Sequence, residues 1–247
     1  LTNRCMIGIT GAYLCRLDES LAAIDEARVA AREIGHRVAE VMAGECAGLV
    51  LVDAGLFEEA REPLERSLAL ARRIASRRFA TLDLALLGCV AWHGGDAEGA
   101  RRLLDESWTM CEEIGTRFAG PIVLGMMARV AADDAGRRAA ISRGEALLDG
   151  TAMAHNHFWF RRDAIDTSLA AGDFDAAERH AEALERYAAV EPLPWTDFHV
   201  ARARALASAG RGVADSLALR ALRERGVELG RHAALAALDE ALASAFL

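Results

Sequence analysis

Apolar residues recur along the chain in a helical pattern that repeats about every 40 residues. Residues 43–55 are almost wholly apolar and end at a glycine, and residues 56–70 then carry apolar side chains on one face only. The arrangement returns one period later, with Gly95 in place of Gly55. A fixed period of this size is typical of stacked helix pairs, in which each pair buries its apolar face against its neighbours.

Three isoleucines, Ile34, Ile74 and Ile114, mark the same point in successive units, where each closes the second helix of a pair. We therefore predict an all-α fold, an α-solenoid of about six antiparallel helix pairs with a C-terminal capping helix. The pairs are predicted at residues 1–34, 41–75, 79–115, 119–152, 157–188 and 194–228, and the cap at residues 231–246. Turns within the pairs are predicted at Cys15, Gly55, Gly95, Ala135, Gly172 and Gly210.

The composition limits the classes of partner. The chain has 247 residues, of which 53% are hydrophobic, and a formal net charge of −8. A repeat array of this length forms a single elongated domain, because each unit contacts only its neighbours. The acidic balance argues against direct binding to nucleic acid, which needs a basic face. No apolar run is long enough to span a membrane, and no signal peptide is visible.

The cysteines indicate the cellular compartment, and the first residue indicates whether the chain is part of a longer protein. The five cysteines are odd in number and include no Cys-x-x-Cys pair, a pattern that favours reduced thiols in the cytoplasm. The chain starts at Leu1 rather than at methionine. We therefore expect a cytoplasmic piece of a larger protein.

The turn-and-helix unit resembles the tetratricopeptide repeat. The shared elements are a glycine before the second helix, an aromatic residue two positions later and an alanine three positions after that. In this chain they are Gly55, Phe57 and Ala60, and again Gly172, Phe174 and Ala177. The resemblance covers nearly the whole chain, and it implies a right-handed superhelix of helix pairs.

The length of the unit makes the resemblance more specific. Units of 37–40 residues are longer than the standard 34-residue repeat and are similar to the C-terminal arrays of large bacterial signalling ATPases. These include regulators with a LuxR-type DNA-binding domain and ATPases linked to an adenylate or guanylate cyclase, and residues 191–212 are particularly similar to them. The resemblance implies a non-catalytic scaffold in signal transduction or transcription regulation, with any ATPase or cyclase domain outside this chain.

In tetratricopeptide folds the first helix of each pair lines a concave groove, and this template implies which side chains face a partner. The groove so predicted is apolar in its N-terminal half and charged in its C-terminal half. The residues assigned to it are Met42, Glu45, Leu49, Trp92, His93, Arg129, Trp159, Arg162, Asp166, Asp197 and Arg204.

Two kinds of partner fit this predicted groove. The first is a protein, a peptide or another domain of the same parent, with Arg129, Arg162 and Arg204 pairing with acidic groups. Trp92 and Trp159 would then be the apolar anchors. The second is a small-molecule effector such as a sugar, a nucleotide or a carboxylate. The alternative is that the arginines pair with acidic groups of the chain itself and the tryptophans are packing residues.

The predicted final helix offers a further surface. Leu235, Leu238, Leu242 and Phe246 recur at helical spacing and form an apolar stripe. Two copies of the chain could pair through this stripe, so a homodimer is a further prediction.

No constellation of catalytic residues stands out, and we predict that the chain is not an enzyme. His155 and His157 flank one residue, but a metal site needs further ligands and none is adjacent in sequence. Gly94 and Gly95 form a turn, because no strand precedes them as a phosphate-binding loop would require. We therefore expect neither a metal nor a cofactor.

Overall fold

A computed structural model of the chain describes residues 1–150 and 152–244. These residues form helices joined by short turns and contain no strand, which confirms the predicted all-α class. No helix among them combines the length and the apolar character needed to cross a bilayer. The helices are α1 (Thr2–Tyr13), α2 (Leu17–Glu33), α3 (Arg37–Ala54), α4 (Phe57–Arg73), α5 (Arg77–His93), α6 (Ala97–Ile114), α7 (Gly120–Val130), α8 (Asp134–Leu148), α9 (His155–Ala170), α10 (Phe174–Ala188), α11 (Pro194–Gly210), α12 (Ser216–Glu228), a 3-10 helix (His232–Ala234) and α13 (Leu235–Ser244).

The helices pack in two layers that follow chain order. Each helix packs against the next, and each odd-numbered helix also contacts the next odd-numbered one, from α1 through to α13. The even-numbered helices pack on the odd ones. Ion pairs also link α4 to α6, through Arg72 and Glu106 at 2.6 Å, and α6 to α8, through Glu112 and Arg143 at 2.7 Å. In addition, α1 contacts α11, and α3 contacts the 3-10 helix near the end of the chain. The row of odd-numbered helices therefore curves until its first members meet its last ones.

Glycines in the odd-numbered helices let the two helices of a pair approach closely. A Cβ atom on any of three such glycines would collide with a branched side chain of the following helix. The contacts are Gly8 with Ile24, Gly48 with Leu64, and Gly88 with Leu104, each 40 residues after the one before. A larger residue would push the helix axes apart, so the 40-residue period of the sequence corresponds to a repeated packing contact.

Buried hydroxyl groups repeat with the same period. Ser67 in α4 donates a hydrogen bond to the backbone carbonyl of Val41 in α3, at 3.0 Å. Ser107 in α6 donates to the carbonyl of Thr81 in α5, at 2.7 Å. Each bond fixes the second helix of a pair against the start of the first one and satisfies a hydroxyl that water does not reach.

Two of the predicted turn positions are wrong. Ala135 lies inside α8, because the Asp133 side chain accepts a hydrogen bond from the Gly136 N–H at 2.8 Å and so starts the helix before residue 135. Gly210 is the last residue of α11, and the left-handed backbone (φ 84°) lies at Gly212 instead. The Phe174 ring occupies the space where a Cβ of residue 210 would lie, so packing accounts for that glycine.

The apolar stripe predicted for the final helix packs within the chain. Leu238 is fully buried against Leu206 of α11 and Leu219 of α12, and Leu242 packs at the edge of the same cluster. Leu235 lies against Gly226 of α12. Phe246 lies outside the described residues, as does the end of the predicted cap.

Candidate functional site

The carboxylate of Asp53 lies at the meeting point of four parts of the chain. Asp53 is near the end of α3, and both of its oxygens accept hydrogen bonds from Trp195 Nε1 of α11, at 3.0 and 3.1 Å. Arg162 of α9 donates to Oδ1 at 2.9 Å, and Arg231, which precedes the 3-10 helix, donates to Oδ2. All four side chains are buried, so this one group joins the N-terminal part of the chain to the C-terminal part.

Further arginines and aspartates extend the contacts around Asp53. Arg162 donates twice to Oδ1 of Asp163, at 2.8 and 3.0 Å. Arg129 of α7 bridges Asp163 and Asp166, at 2.9 Å to each. Arg202 of α11 donates to the other oxygen of Asp166 at 2.6 Å. We call the following residues the central ionic cluster: Asp53, Arg129, Arg162, Asp163, Asp166, Arg202 and Arg231.

The arginines keep the central carboxyl groups ionised in spite of burial. Burial opposes the ionisation of Asp53, but the charge of Arg231 and its other basic neighbours outweighs it and holds the pKa of Asp53 below its usual value. Arg202 similarly outweighs burial at Asp166, whose pKa lies far below the usual range. Burial lowers the pKa of His199, beside the cluster, to about 3, so this imidazole is neutral at pH 7.

Aromatic rings surround the cluster on the side of α1. Trp159 Nε1 donates a hydrogen bond to the Tyr13 hydroxyl at 2.9 Å, which ties α9 to α1. The Tyr13 ring lies 5.0 Å from Phe158 and 5.9 Å from Trp195, and the guanidinium of Arg162 lies 4.5 Å from the Trp159 ring centroid. The aromatic groups limit the access of water to the ion pairs and so strengthen them.

Five of the residues assigned to the groove lie in the interior. Arg129, Arg162 and Asp166 belong to the central ionic cluster and bond to one another or to other members of it. Trp159 is 1% exposed, and Leu49 is part of the main apolar core. Each of these three charged groups therefore has at least one ion-pair partner within the chain, although Nε of Arg129 has no hydrogen-bond partner among the described residues.

Asp197 and Arg204 lie elsewhere. Arg204 is exposed and pairs with Glu185 of α10, at 2.6 and 3.0 Å, and Asp197 lines the same shallow groove between α10 and α11. Arg202 is the residue of α11 that reaches Asp166. A shift of two residues turns a helical side chain by about 200°, so Arg202 faces Asp166 and Arg204 lies on the opposite side of α11, where it pairs with Glu185.

The other assigned residues lie around the interior. Met42 is half-buried where α1 and α2 pack on α3, and Trp92 is half-buried against the main core. His93 is exposed and stacks on the Phe57 ring, with 3.8 Å between the ring centroids. None of Met42, Trp92 and His93 lines the groove that Asp197 and Arg204 share.

Glu45, also assigned to the groove, belongs to a separate buried pair of acids with Asp83 of α5. Burial, together with the charge of Asp83, raises the pKa of Glu45 well above its usual value. Burial raises the pKa of Asp83 to about 8, against a smaller opposing effect of the neighbouring Ser67 hydroxyl. At neutral pH the pair therefore retains a proton that the unfolded chain has released.

The histidine pair around Asn156 has a structural role. The Asn156 side chain donates to three backbone carbonyls at 3.1–3.2 Å and is fully buried. His155 Nε2 lies 2.7 Å from the carbonyl oxygen of Phe118, and His157 stacks on Tyr187 at 4.0 Å. No group of three metal-binding side chains is found among the residues that the structure describes.

Sequence reasoning missed four members of the central ionic cluster, and it also missed two residues beside them. The cluster members are Asp53, Asp163, Arg202 and Arg231, and the neighbours are Trp195 and His199. One signal was available for Asp53, which is the only charged residue in the apolar run 46–55. A charge in such a helix is buried, and a buried charge needs a partner. No comparable signal marks Arg231, whose bond to Asp53 spans 178 residues.

Two cavities border the central ionic cluster. A small one of about 30 Å³ lies between Asp53, Arg129, Arg231 and His199, with Phe57 and His93 at its rim. A larger cleft of about 610 Å³ lies between α9, α10, α11 and α13. Asp166 lines both cavities.

Comparison of the chain with models of protein families gives no match, and comparison with curated proteins gives none either.

We predict that Asp53→Asn lowers the free energy of unfolding by about 3–5 kcal/mol, because it leaves Arg162 and Arg231 buried without their anion. Urea titration at pH 7 measures the change. The control is Asp197→Asn, which alters an exposed carboxylate and should stay within about 0.5 kcal/mol of the original chain. A loss below about 1 kcal/mol for Asp53→Asn would contradict the role of this carboxylate.

We also predict that Asp83→Asn changes how stability depends on pH. The pKa of Asp83 is raised from 3.8 to about 8 on folding, so the original chain loses stability as the pH rises through this window. Asparagine does not titrate. The unfolding free energy of the variant relative to that of the original chain should therefore rise by up to ~1.4 kcal/mol per pH unit. Urea titrations at pH 5, 6, 7 and 8 test this. If the unfolding free energy of the variant minus that of the original chain stays constant or falls as the pH rises, the prediction is excluded. Asp197→Asn again serves as the control.

Proposed function

We propose that the chain is a non-catalytic, right-handed TPR-like solenoid that acts as a protein-interaction scaffold in a bacterial signalling or transcription-regulatory protein. Support for the architecture comes from the order of helix contacts and from the glycine and serine contacts that recur every 40 residues. Support for the role comes from one exposed apolar face on α1.

The interior is not where this scaffold binds its partner. The arginines and aspartates there already bond to one another, and Tyr13 of α1 closes the space against α9 and α11. A peptide would have to break these buried ion pairs, at a cost of several kcal/mol for each uncompensated charge. We therefore place the interaction surface on the outside of the helix array.

The outer face of α1 carries the observation on which the proposal rests. Met6 and Leu14 are 46% and 37% exposed, and Thr10 between them is exposed as well. The residues 40 positions later in α3 are Cys46, Val50 and Ala54, which are all buried. The same face of the repeat is thus covered in α3 and uncovered in α1.

The contacts of α3 indicate what fits on α1. In α3 this face is covered by Cys5 and Ala12 of α1 and by Ile24 and Ala27 of α2. These are small or branched apolar side chains from two adjacent helices. The occupant we propose for α1 is therefore a helical hairpin with such a surface, supplied by a partner protein or by another domain of the same parent.

A fusion tests the face without knowledge of the natural partner. A second copy of residues 37–80 placed directly before Leu1 keeps the 40-residue register and presents a helix pair to α1. Burial of two large apolar side chains should raise the free energy of unfolding of the chain by ~2 kcal/mol or more. Urea titration of the fused and original chains measures this gain.

The variant Met6→Glu shows whether the gain comes from the proposed face. Residue 6 is exposed in the original chain, so the substitution there should change stability by less than about 0.5 kcal/mol. In the fusion it should abolish most of the gain, since the charge would be buried. Val190→Glu, at a position that is 95% exposed in the loop before α11, should be neutral in both chains. A fusion with no gain, or a gain that survives Met6→Glu, would refute the docking face.

A second candidate function is the sensing of a small-molecule effector, and the 610 Å³ cleft favours it. The volume lies within the range of known ligand sites, and the cleft combines the charged groups of Asp166, Arg202 and Glu240 with the Phe174 ring. This composition suits a small metabolite with hydroxyl or charged groups. The cleft, and not the closed interior, is where such an effector would bind.

A thermal-shift screen of sugars, nucleotides and carboxylates tests this second candidate. A ligand present at ~100 times its Kd should stabilise the chain by ~2.7 kcal/mol. Ala209→Phe places a ring in the cleft and should abolish the shift, whereas Ala201→Phe, which lies outside it, should not. A screen without any shift would exclude the effector site for these compound classes.

A further inference from the structure

The central ionic cluster contains one more positive group than negative groups. Its basic members are the four guanidinium groups of Arg129, Arg162, Arg202 and Arg231, and its acidic members are the carboxylates of Asp53, Asp163 and Asp166. His199 beside them is neutral, because burial lowers its pKa to about 3. A buried positive charge without a counterion costs several kcal/mol, so an additional anion at this place would stabilise the fold.

The free hydrogen-bonding groups of the cavity are mainly donors. Arg231 is 1% exposed, and its Nη2 has no hydrogen-bond partner among the described residues; the same holds for Nε of Arg129 and Nε2 of His199. All three residues line the small cavity. The carboxylates that also line it, Asp53 and Asp166, already accept hydrogen bonds on both oxygens. The cavity thus presents positive charge and free N–H groups to its interior.

The size of the cavity limits what can occupy it. A volume of about 30 Å³ holds one or two water molecules or one monatomic anion. It is too small for a phosphate group or an organic carboxylate. Water could satisfy the free N–H groups, but it would leave the excess positive charge uncompensated.

We propose that this cavity is a binding site for one small monovalent inorganic anion, such as chloride, which completes the hydrogen bonding of Arg231 and Arg129. The anion would enter past Phe57 and His93, which stack at the rim. It would be a structural ion that fixes α7 against the segment before the 3-10 helix.

The first test measures the melting temperature of the unaltered chain while chloride replaces gluconate at constant ionic strength. Gluconate is too large for the cavity and so serves as the inert anion. Between ~1 and ~200 mM chloride the melting temperature should rise by about 3 °C or more, and above the Kd it should increase in proportion to the logarithm of the chloride concentration, as expected for a single site. A melting temperature that does not depend on chloride would overturn the proposal.

A second measurement on the unaltered chain detects the ion directly. Exchange of chloride with a site in the protein broadens its NMR line, and bromide should reverse the broadening by competing for the same cavity. The absence of broadening, or broadening that bromide does not reverse, would count against the site.

Two variants locate the effect. Arg129→Met removes the excess charge and should abolish both the thermal and the NMR response to chloride. Arg204→Gln removes an exposed arginine that pairs with Glu185, and it should keep both responses. Loss of the responses in Arg204→Gln would show a surface effect and refute the cavity site. If Arg129→Met does not fold, the two measurements on the unaltered chain and the Arg204→Gln control still decide the question.

Discussion

The hydrogen bonds that converge on the Asp53 carboxylate hold the two ends of the helix array together. Asp53 belongs to α3, whereas its donors Arg162, Trp195 and Arg231 belong to α9, α11 and the segment before the 3-10 helix. Each donor is buried and would be left without its acceptor if α3 moved away. The penalty for such unpaired groups is larger than the net gain from making the bonds. Charge pairing as well as apolar packing therefore holds α3 against α9, α11 and the segment before the 3-10 helix.

The compactness of the chain supports placing the proposed partner sites on its outside. The accessible surface of the chain is 11351 Å², close to the ~10,700 Å² expected for a compact protein of this mass. An array of helix pairs with an open groove would expose more. We propose two partner sites on the part of the chain that the structure describes, the uncovered face of α1 and the cleft beside α13, and a small cavity with excess positive charge borders the central ionic cluster. These three places differ in chemistry, which is why each needs its own experiment.

The sequence predicts the helices well and the site only in part. The helical class follows from the 40-residue spacing of small residues, which the structure explains through contacts such as Gly48 with Leu64. Arg162 was assigned to a groove facing a partner, and the structure instead buries it against Asp53 and Asp163. The repeat spacing does not show whether Arg202 or Arg204 faces Asp166. A shift of two residues changes the length of the repeat very little, but it moves the side chain to the opposite face of α11. The bond from Asp53 to a residue 178 positions away has no local signal, since it depends on the total curvature of all intervening pairs.

The bond between Asp53 and Arg231 can be measured in solution by a double-mutant cycle. The cycle compares the unfolding free energies of the original chain, Asp53→Asn, Arg231→Gln and the double variant, all by urea titration under the same conditions. If the two ends of the array meet at this buried pair, the coupling energy should be about 2 kcal/mol or more. A coupling energy below about 0.5 kcal/mol, the value expected for distant and independent sites, would contradict the closed interior.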